Sequence, residues 1–553
     1  MVKRIACLAV FLLAAATAHA EPAERIGMAV KLRNYMRVRQ AVGEFLTQVI
    51  PDYYHDLPDQ WLAPILNCGG MTSINQRGDF YLLAVDSPEG TGWALLAPVA
   101  AKSFYLDALR ASLGRETEQD GAFVFTVKKE ADGKKTERKF CVRVVDHTAV
   151  ASYNANACKA AAAMLEEDQV ARLFDPGEEA PIQARITNSF LKKHREQLFL
   201  ALLEVQLLGI TGLGSPNAAV LSELYTNIVL DSVEQIEAVC ADITPAADAV
   251  NVRLTISPRP GTMLAKLIAA QQPMKTSLLD LIPGEPVFAC SGRIESLGEL
   301  QSRYADALKR LFTVLPKKAP LAGAASKLGA DRLGSFSTAF AGHFAAALVQ
   351  PPDESFDVDY LRIYEMKDLA QAREGFVRAM AARAELQVTV EALPESKHAG
   401  HDVLAYKITE PSPVRKKPDS VTVRAAFVDK FMLVASGDHS EGNIRKMIDA
   451  CSGKSSVPAL TRADCFAAGT SAAPKDASAV VFFSLTGFLH WAGQSQLSGI
   501  ESLKEIRPAN GIAAWLVPDN GSLSILLRLP AGEFVAVRKA FLGNTAILTP
   551  PAQ

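Results

Sequence analysis

The residues with the clearest chemical potential are two aspartates separated by one position. Asp357 and Asp359 alternate with Phe356, Val358 and Tyr360, which is the pattern of a strand with one polar and one apolar face. Both carboxylates would point the same way, so together they could hold a cation or act as an acid and a base. An antiparallel sheet commonly has one face in water. We therefore predict that the two aspartates form the solvent-exposed face of this strand.

A second polar cluster, Gly437 to Gly442, contains an acid, a histidine and a serine in the order Gly-Asp-His-Ser-Glu-Gly. Its spacing differs from the GxSxG turn that exposes a nucleophilic serine. The cluster lies between a predicted strand and a helix from about Asn443, so we expect Asp438 or Ser440 to cap that helix. The corresponding stretch earlier in the chain, residues 152–156, has cap residues but neither histidine nor acid. We interpret the cluster as a capping turn.

His398 and His401 are the only histidines after residue 20 that lie within four residues of each other. They flank Ala399-Gly400 at the entrance of a predicted strand. Neither HxH nor HExxH occurs among the later histidines, so the spacing gives no support for a metal site. We predict that both are loop residues.

Two further motifs occur without the partners that their chemistry needs. Ser189 and Lys192 match SxxK, but no SDN or KTG element follows them. Residues 453–455, Gly-Lys-Ser, resemble the end of a phosphate-binding loop, but Ile448 stands where that loop requires glycine. The sequence therefore predicts no catalytic, cofactor-binding or metal-binding residue, and no cofactor.

The elements that carry these residues form a repeat. Val145–Ser152 returns one residue longer as Val428–Ser436, and each copy predicts two short strands around a polar turn, followed by a helix. Other matches occur in the same order: helices capped by Asn34 and Ser296, strands after Gly78 and Gly334, helices capped by Ser103 and Asp368, Ile182 with Val480, and the hairpins 250–256 and 523–529. Asp519-Asn520-Gly521 is a strong two-residue hairpin signal.

Short turns between alternating apolar segments favour antiparallel pairing with helices on one face. We predict an α+β protein of two similar halves that arose by internal duplication, each a mainly antiparallel sheet with helices packed on it. The predicted organisation is a signal peptide at 1–20, the first half at 21–272, a linker at 273–283, the second half at 284–545 and a tail at 546–553.

The first twenty residues have the features of a cleavable export signal. Lys3 and Arg4 precede the apolar run Ile5–Ala16, and Ala18-His19-Ala20 supplies the small residues at a cleavage site. The apolar segment Leu198–Ile210 is interrupted by Glu204 and Gln206, so we predict a buried helix and no transmembrane segment after cleavage. The formal net charge of −2 gives no general attraction to nucleic acid. We expect a periplasmic or extracellular protein.

Cysteine usage fits an exported chain but not a metal centre. One of the eight cysteines lies in the signal, which leaves an odd number in the mature chain, with no CxxC pair. Cys451 and Cys465 flank a short connection with Gly, Ser and Pro residues and are the best disulfide candidates.

These observations favour an exported non-enzymatic scaffold or binding protein of a bacterial-type cell envelope. Its partner would be an unidentified envelope protein or an apolar ligand. One alternative is a carrier or sensor of apolar small molecules, with a cavity between sheet and helices. The second is a hydrolase whose active site is assembled from distant loops and therefore shows no motif.

Overall fold

A computed structural model describes most of the chain. Described are residues 26–50, 71–87, 90–131, 134–174, 179–194, 233–274, 278–294, 338–350, 359–384, 388–410, 419–494 and 510–542, with isolated positions between 59 and 67 and between 503 and 506. The predicted signal, Asp357, Cys68, the segment 198–210 and the helix capped by Ser296 lie outside the described residues.

The described residues form two compact units, the first reaching Leu264 and the second beginning at Ala265. Each unit mixes helices with antiparallel sheet, as the sequence predicts. Most of the regular structure is sheet.

In the first unit, the strands lie in the order β4-β5-β6-β7-β3-β2-β1-β8-β9-β10, and every pairing is antiparallel. The strands are β1 (Ile26–Leu32), β2 (Phe80–Ser87), β3 (Gly90–Pro98), β4 (Thr117–Gln119), β5 (Ala122–Ala131), β6 (Lys134–Val145), β7 (Thr148–Ser152), β8 (Ile182–Thr187), β9 (Ile236–Pro245) and β10 (Ala249–Pro258). The helices are α1 (Tyr35–Val49), α2 (Lys102–Leu113), α3 (Ala155–Glu166) and α4 (Asn188–Lys193), and α5 (Met263–Ala270) begins at the end of this unit.

In the second unit, the order is β14-β15-β16-β17-β13-β12-β11-β18-β19-β20, again with every pairing antiparallel. The strands are β11 (Pro286–Arg293), β12 (Phe340–Val349), β13 (Asp359–Met366), β14 (Thr389–His398), β15 (His401–Glu410), β16 (Asp419–Val428), β17 (Phe431–Ser436), β18 (Ala479–Phe483), β19 (Ile512–Asp519) and β20 (Ser522–Pro530). The helices are α6 (Leu369–Ala384), α7 (Ser440–Cys451), α8 (Asp464–Thr470), α9 (Leu485–Gln494) and α10 (Ala531–Leu542).

Within the described residues, the two orders are the same strand for strand, with β1 in the place of β11 and β10 in the place of β20. The matched hairpins of the sequence occupy corresponding places. Asp146 and Asp429 both have positive φ, 51° and 53°, in two-residue turns between paired strands. Such turns require positive φ at their centre, which Asp, Asn and Gly adopt more readily than other residues. Asn520-Gly521 makes the same kind of turn, so these hairpin predictions are confirmed.

The helix caps predicted from the local sequence are confirmed only in part. Asn34 caps α1 and Asp368 caps α6, each through its side-chain oxygen, as predicted. Ser103 does not cap α2, because that helix begins at Lys102, two residues before a Ser103 cap would start it, and Ala101 holds the cap position without a side-chain bond.

Two predicted strand matches are displaced. The strand expected after Gly334 begins at Phe340, and the described residues before it, Thr338 and Ala339, are helical. The pairing of β18 with β11 places Val481, rather than Phe482, in the position that Ala184 holds in β8. A shift of one residue exchanges the two faces of a strand. The predicted match of Ile182 with Val480 is therefore wrong by one position.

Side chains alternate between two apolar layers in the second unit. Leu361, Ile363 and Leu433 pack beneath Ile444 and Met447 of α7. The opposite face carries another core, in which Met432 and Val434 of β17 pack with Phe376 and Met380 of α6. Helices thus cover part of both faces of the strands next to β13. Apolar residues therefore do not alternate strictly with polar residues along these strands.

Strand β14 lies at one border of the second unit and pairs with β15 alone among the described strands. Its ladder is interrupted between Leu393 and Ser396, where Pro394 and Glu395 lie. All of its residues are exposed or half-buried.

Candidate functional site

Asp359, the aspartate predicted to face solvent, is 1% exposed. It begins β13 and shares its face with Leu361 and Ile363, which belong to the core under α7. The solvent-face prediction is therefore wrong for Asp359.

The carboxylate of Asp359 closes the N-terminal end of α7. Its Oδ1 accepts a hydrogen bond from the backbone N–H of His439 at 3.3 Å, and its Oδ2 accepts one from Asn443 Nδ2 at 2.9 Å. The Nδ1 atom of His439 lies 3.3 Å from the same Oδ2. We call these three residues the Asp359 cluster. A carboxylate is favourable here because the first N–H groups of a helix carry a partial positive charge.

The expected caps are therefore wrong. Helix α7 begins at Ser440, and His439 holds the cap position without a side-chain bond to the helix. Asp359, from a distant strand, replaces the local capping that the sequence predicts at Asp438 or Ser440. No local signal reveals a cap supplied across 80 residues.

Burial raises the pKa of Asp359, while His439 and the hydrogen bond from Asn443 act to lower it. An acid next to an imidazole can hold and transfer a proton. Nucleophilic catalysis also needs an accessible nucleophile, and the neighbouring Ser440 is buried. The bonds of the Asp359 cluster lie at the helix end, so its geometry is that of a structural cap.

The first unit closes the corresponding helix differently. By strand register, Gly92 of β3 holds the place of Asp359. A Cβ at Gly92 would lie 2.7 Å from Ala157 Cβ and 2.9 Å from Asn154 Cβ. Asn154 itself caps α3 by accepting from the N–H of Ala157 at 3.0 Å. The first unit thus caps its helix locally with Asn154 and has Gly92 at the neighbouring strand position. The second unit caps the corresponding helix with the carboxylate of Asp359 from the sheet.

Gly437 gives a direct test of this packing. Its φ is +124°, and a Cβ there would collide with Asp359 Oδ1, whereas the Cβ of an alanine at Gly453, with φ +69°, meets open space. We expect Gly453→Ala to cost about 1–2 kcal/mol from its backbone conformation. Gly437→Ala should cost about 1–3 kcal/mol more, because of the added collision and of a φ that alanine tolerates less well. Urea unfolding of both variants measures the difference, and equal costs would contradict the packing described.

A second buried carboxylate was missed by sequence reasoning. Glu533, in the first turn of α10, is 0% exposed. It accepts hydrogen bonds from the backbone N–H of Thr486 at 2.8 Å, from Thr486 Oγ1 at 3.0 Å and from the N–H of Asn510 at 3.3 Å. These bonds fix the first turn of α9. The signal in the sequence was an acid just after Pro530, which is also typical of an ordinary exposed helix start.

The other motif residues are not assembled into a site. The prediction that His398 and His401 are loop residues is wrong, because they end β14 and begin β15 and pair directly with each other. His398 Nε2 lies 2.8 Å from Asp449 Oδ1. Ser189 and Lys192 fall in the short helix α4. The N–H groups of Gly453 and Lys454 donate to carbonyls of the last turn of α7, so they do not form a phosphate cradle. The described residues contain no cluster of three or more potential metal ligands.

Cys451 and Cys465 are both free thiols, so the predicted disulfide is wrong. Cys465 is buried in the apolar core beneath α7, and Cys451, the last residue of α7, is half-buried against it. A cysteine in such a place behaves as a small hydrophobic residue. Burial raises the pKa of Cys465 to about 12 and that of Cys451 to about 11. Neither thiol is therefore activated as a nucleophile.

The face of the second sheet opposite α7 carries a continuous line of apolar side chains. Successive strand pairings bring together Tyr360, Leu348, Phe288 and Phe483, and we call these four residues the apolar row. Tyr360 is exposed and the other three are half-buried. Phe488 and Trp491 of α9 extend it, with ring centroids 6.0 Å apart for Phe483 and Phe488 and 5.4 Å for Phe488 and Trp491.

A cavity of about 220 Å³ lies in the first unit, between β1, β8 and the turn after α3. Its lining includes Ile26, Ala29, Leu173, Arg185 and Thr187. Pockets for small-molecule ligands usually measure about 300–1,000 Å³. This cavity is therefore smaller than the enclosed space that a carrier would need.

Of the helices described, none combines the length and apolar composition that a membrane crossing requires. No family model, curated protein or solved structure matches the chain.

Proposed function

We propose that this chain is an exported, non-enzymatic binding protein of a bacterial-type cell envelope, and that it binds its partner or ligand through the apolar row. The supporting observation is a connected set of exposed and half-buried apolar side chains on one sheet face. Val481, next to Phe483 on that face, is 38% exposed. Connected apolar surface of this kind commonly marks a binding site. The buried acids described above are committed to helix ends and supply no competing catalytic site.

We also propose that the two units arose by internal duplication of one ten-stranded ancestor. The matching strand order and the corresponding Asp turns support it. An experimental structure in which β1–β10 and β11–β20 cannot be superimposed in common order would contradict the duplication without affecting the binding proposal.

The binding proposal is tested with 8-anilinonaphthalene-1-sulfonate, a dye whose fluorescence rises on apolar surfaces. We expect the mature chain to bind the dye and Val481→Asp to weaken binding about tenfold, because a charge would stand within the apolar surface. The matched control is Val421→Asp on β16, two strands beyond the Tyr360 end of the apolar row, where the valine is 37% exposed.

Equal loss in both variants, or no loss in either, would contradict the assignment of binding to the apolar row. Far-UV circular dichroism of the two variants establishes that each retains its fold.

A further inference from the structure

Arg362 places a positive charge beside the apolar row. It lies two residues after Tyr360 on the same face of β13, opposite Ala346 and Val434 on the neighbouring strands. Its Nε atom is buried without a hydrogen-bond partner. Among the described residues, no hydrogen bond or ion pair satisfies this guanidinium. The guanidinium instead lies over the ring of Tyr360, whose centroid is 4.6 Å from Cζ.

The corresponding position of the first unit is apolar. By register, Leu95 of β3 stands where Arg362 stands in β13, and Leu95 is buried. Leu82 pairs with Leu95, whereas the smaller Ala346 pairs with Arg362 and leaves room for the longer side chain. The sheet therefore accepts a hydrophobic residue at this position, and the fold itself does not require a charge there.

A partly buried guanidinium whose Nε–H has no acceptor is unfavourable unless another group supplies one. The five N–H donors of arginine match a carboxylate in a two-point arrangement, and stacking on an aromatic ring holds the guanidinium plane in place. The contact with Tyr360 provides that stacking. The geometry is suited to an oxyanion approaching the exposed side of the sheet.

The apolar row defines the rest of the ligand. It extends from Tyr360 across three strand-to-strand steps to Phe483, a distance of roughly 14 Å at about 4.8 Å per step. Phe488 and Trp491 continue the apolar surface at the far end. A molecule that uses both features has a charged head at one end and an extended apolar tail.

We propose that the second unit binds an anionic amphiphile with a carboxylate head and an alkyl tail, in which Arg362 pairs with the head group and the apolar row covers the tail. This assignment rests on the proposed binding function of the same surface and names its ligand class. Charge complementarity identifies this ligand class. The guanidinium of Arg362 has no acidic partner in the described part of the chain and lies on an apolar face, so its complement is an anionic group that carries an apolar chain.

The test is calorimetric titration of the mature chain with dodecanoate and with dodecanol, both as monomers in solution. We expect dodecanoate to bind more tightly than dodecanol. Arg362→Leu should weaken dodecanoate binding about 10- to 100-fold, the effect of losing a charge-assisted hydrogen-bonded pair, and should leave dodecanol binding unchanged. Arg362→Lys should restore part of the affinity, because it keeps the charge and loses the two-point geometry.

Arg378→Leu is the matched control, since Arg378 is an exposed arginine of α6 that pairs with Glu374. It should bind dodecanoate as the unchanged chain does. Leucine at position 362 is compatible with folding because Leu95 holds the corresponding place. Unchanged dodecanoate affinity in Arg362→Leu overturns this inference. If dodecanol and the dye bind without any preference for the carboxylate, only the ligand assignment fails; if none of the three binds, the proposed function fails with it.

Discussion

Replacing Glu533 by alanine is expected to destabilise the second unit by about 3 kcal/mol, because buried N–H donors lose their acceptor. The backbone N–H groups of Thr486 and Asn510 both donate to this carboxylate, and its side chain is 0% exposed. Urea unfolding followed by circular dichroism gives the free energy. Hydrogen–deuterium exchange of peptides from α9 assigns the loss to the first turn of that helix.

Glu374→Ala is the control, because Glu374 is exposed and pairs only with Arg378 on the surface of α6 among the bonds described. It should change the stability by no more than about 0.5 kcal/mol. A similar loss in both variants would show that Glu533 does not hold α9.

The same residue predicts a pH dependence of stability. Burial raises the pKa of Glu533 above its ordinary value of 4.5. A raised pKa in the folded state means that folding favours the protonated acid. Its stabilising contribution is therefore complete below pH 4.5 and is lost as the pH rises through the folded-state pKa. The stability of the unchanged chain relative to Glu533→Gln should decrease over that interval, and a constant difference would contradict the burial of an ionisable group.

The second large effect is expected at Asp359. Asp359→Ala should destabilise the second unit by about 2–3 kcal/mol, because α7 loses its cap and the buried amide of Asn443 loses its acceptor. Exchange should accelerate in the first turn of α7, residues 440–443, before the rest of the helix. Urea unfolding and peptide-resolved hydrogen exchange measure the two effects.

Asp368→Ala provides the comparison at an exposed cap. Asp368 accepts from the N–H of Gln371 at 3.0 Å at the start of α6, and its loss should cost about 1 kcal/mol. If the two substitutions cost the same, the burial of Asp359 adds nothing to its role as a cap.

The hairpins and two of the caps were predictable because their determinants are local. Asp146 and Asp429 adopt positive φ within turns of two residues, and Asn34 bonds three residues ahead. The burial of Asp359 was missed because the alternation of polar and apolar residues was followed only over residues 356–360, where Asp359 shares a face with Asp357. Toward the C-terminus, the same alternation places Asp359 with Leu361 and Ile363, both of which are buried. That direction of the alternation would have predicted the correct face.

Other features depend on partners that a single sequence does not reveal. The contact between Glu533 and Thr486 joins residues 47 positions apart, and nothing near either residue indicates the other. Arg362 follows the strand alternation and therefore resembles an ordinary surface arginine. Its unusual character comes from Ala346, Val434 and Tyr360 on adjoining positions. These neighbours became apparent only with the strand order.

The border strand β14 also affects how copies of the protein meet. An unpaired strand edge can template the backbone of a second molecule and so begin a fibril. In β14, a proline cannot donate to such a foreign ladder, and the interrupted stretch from Leu393 to Ser396 breaks the straight line that a recruited segment would follow. A second strand docked here would also remove water from the exposed charges of Glu391, Glu395 and Lys397. At this border, polymer growth is opposed by the sequence of the strand itself.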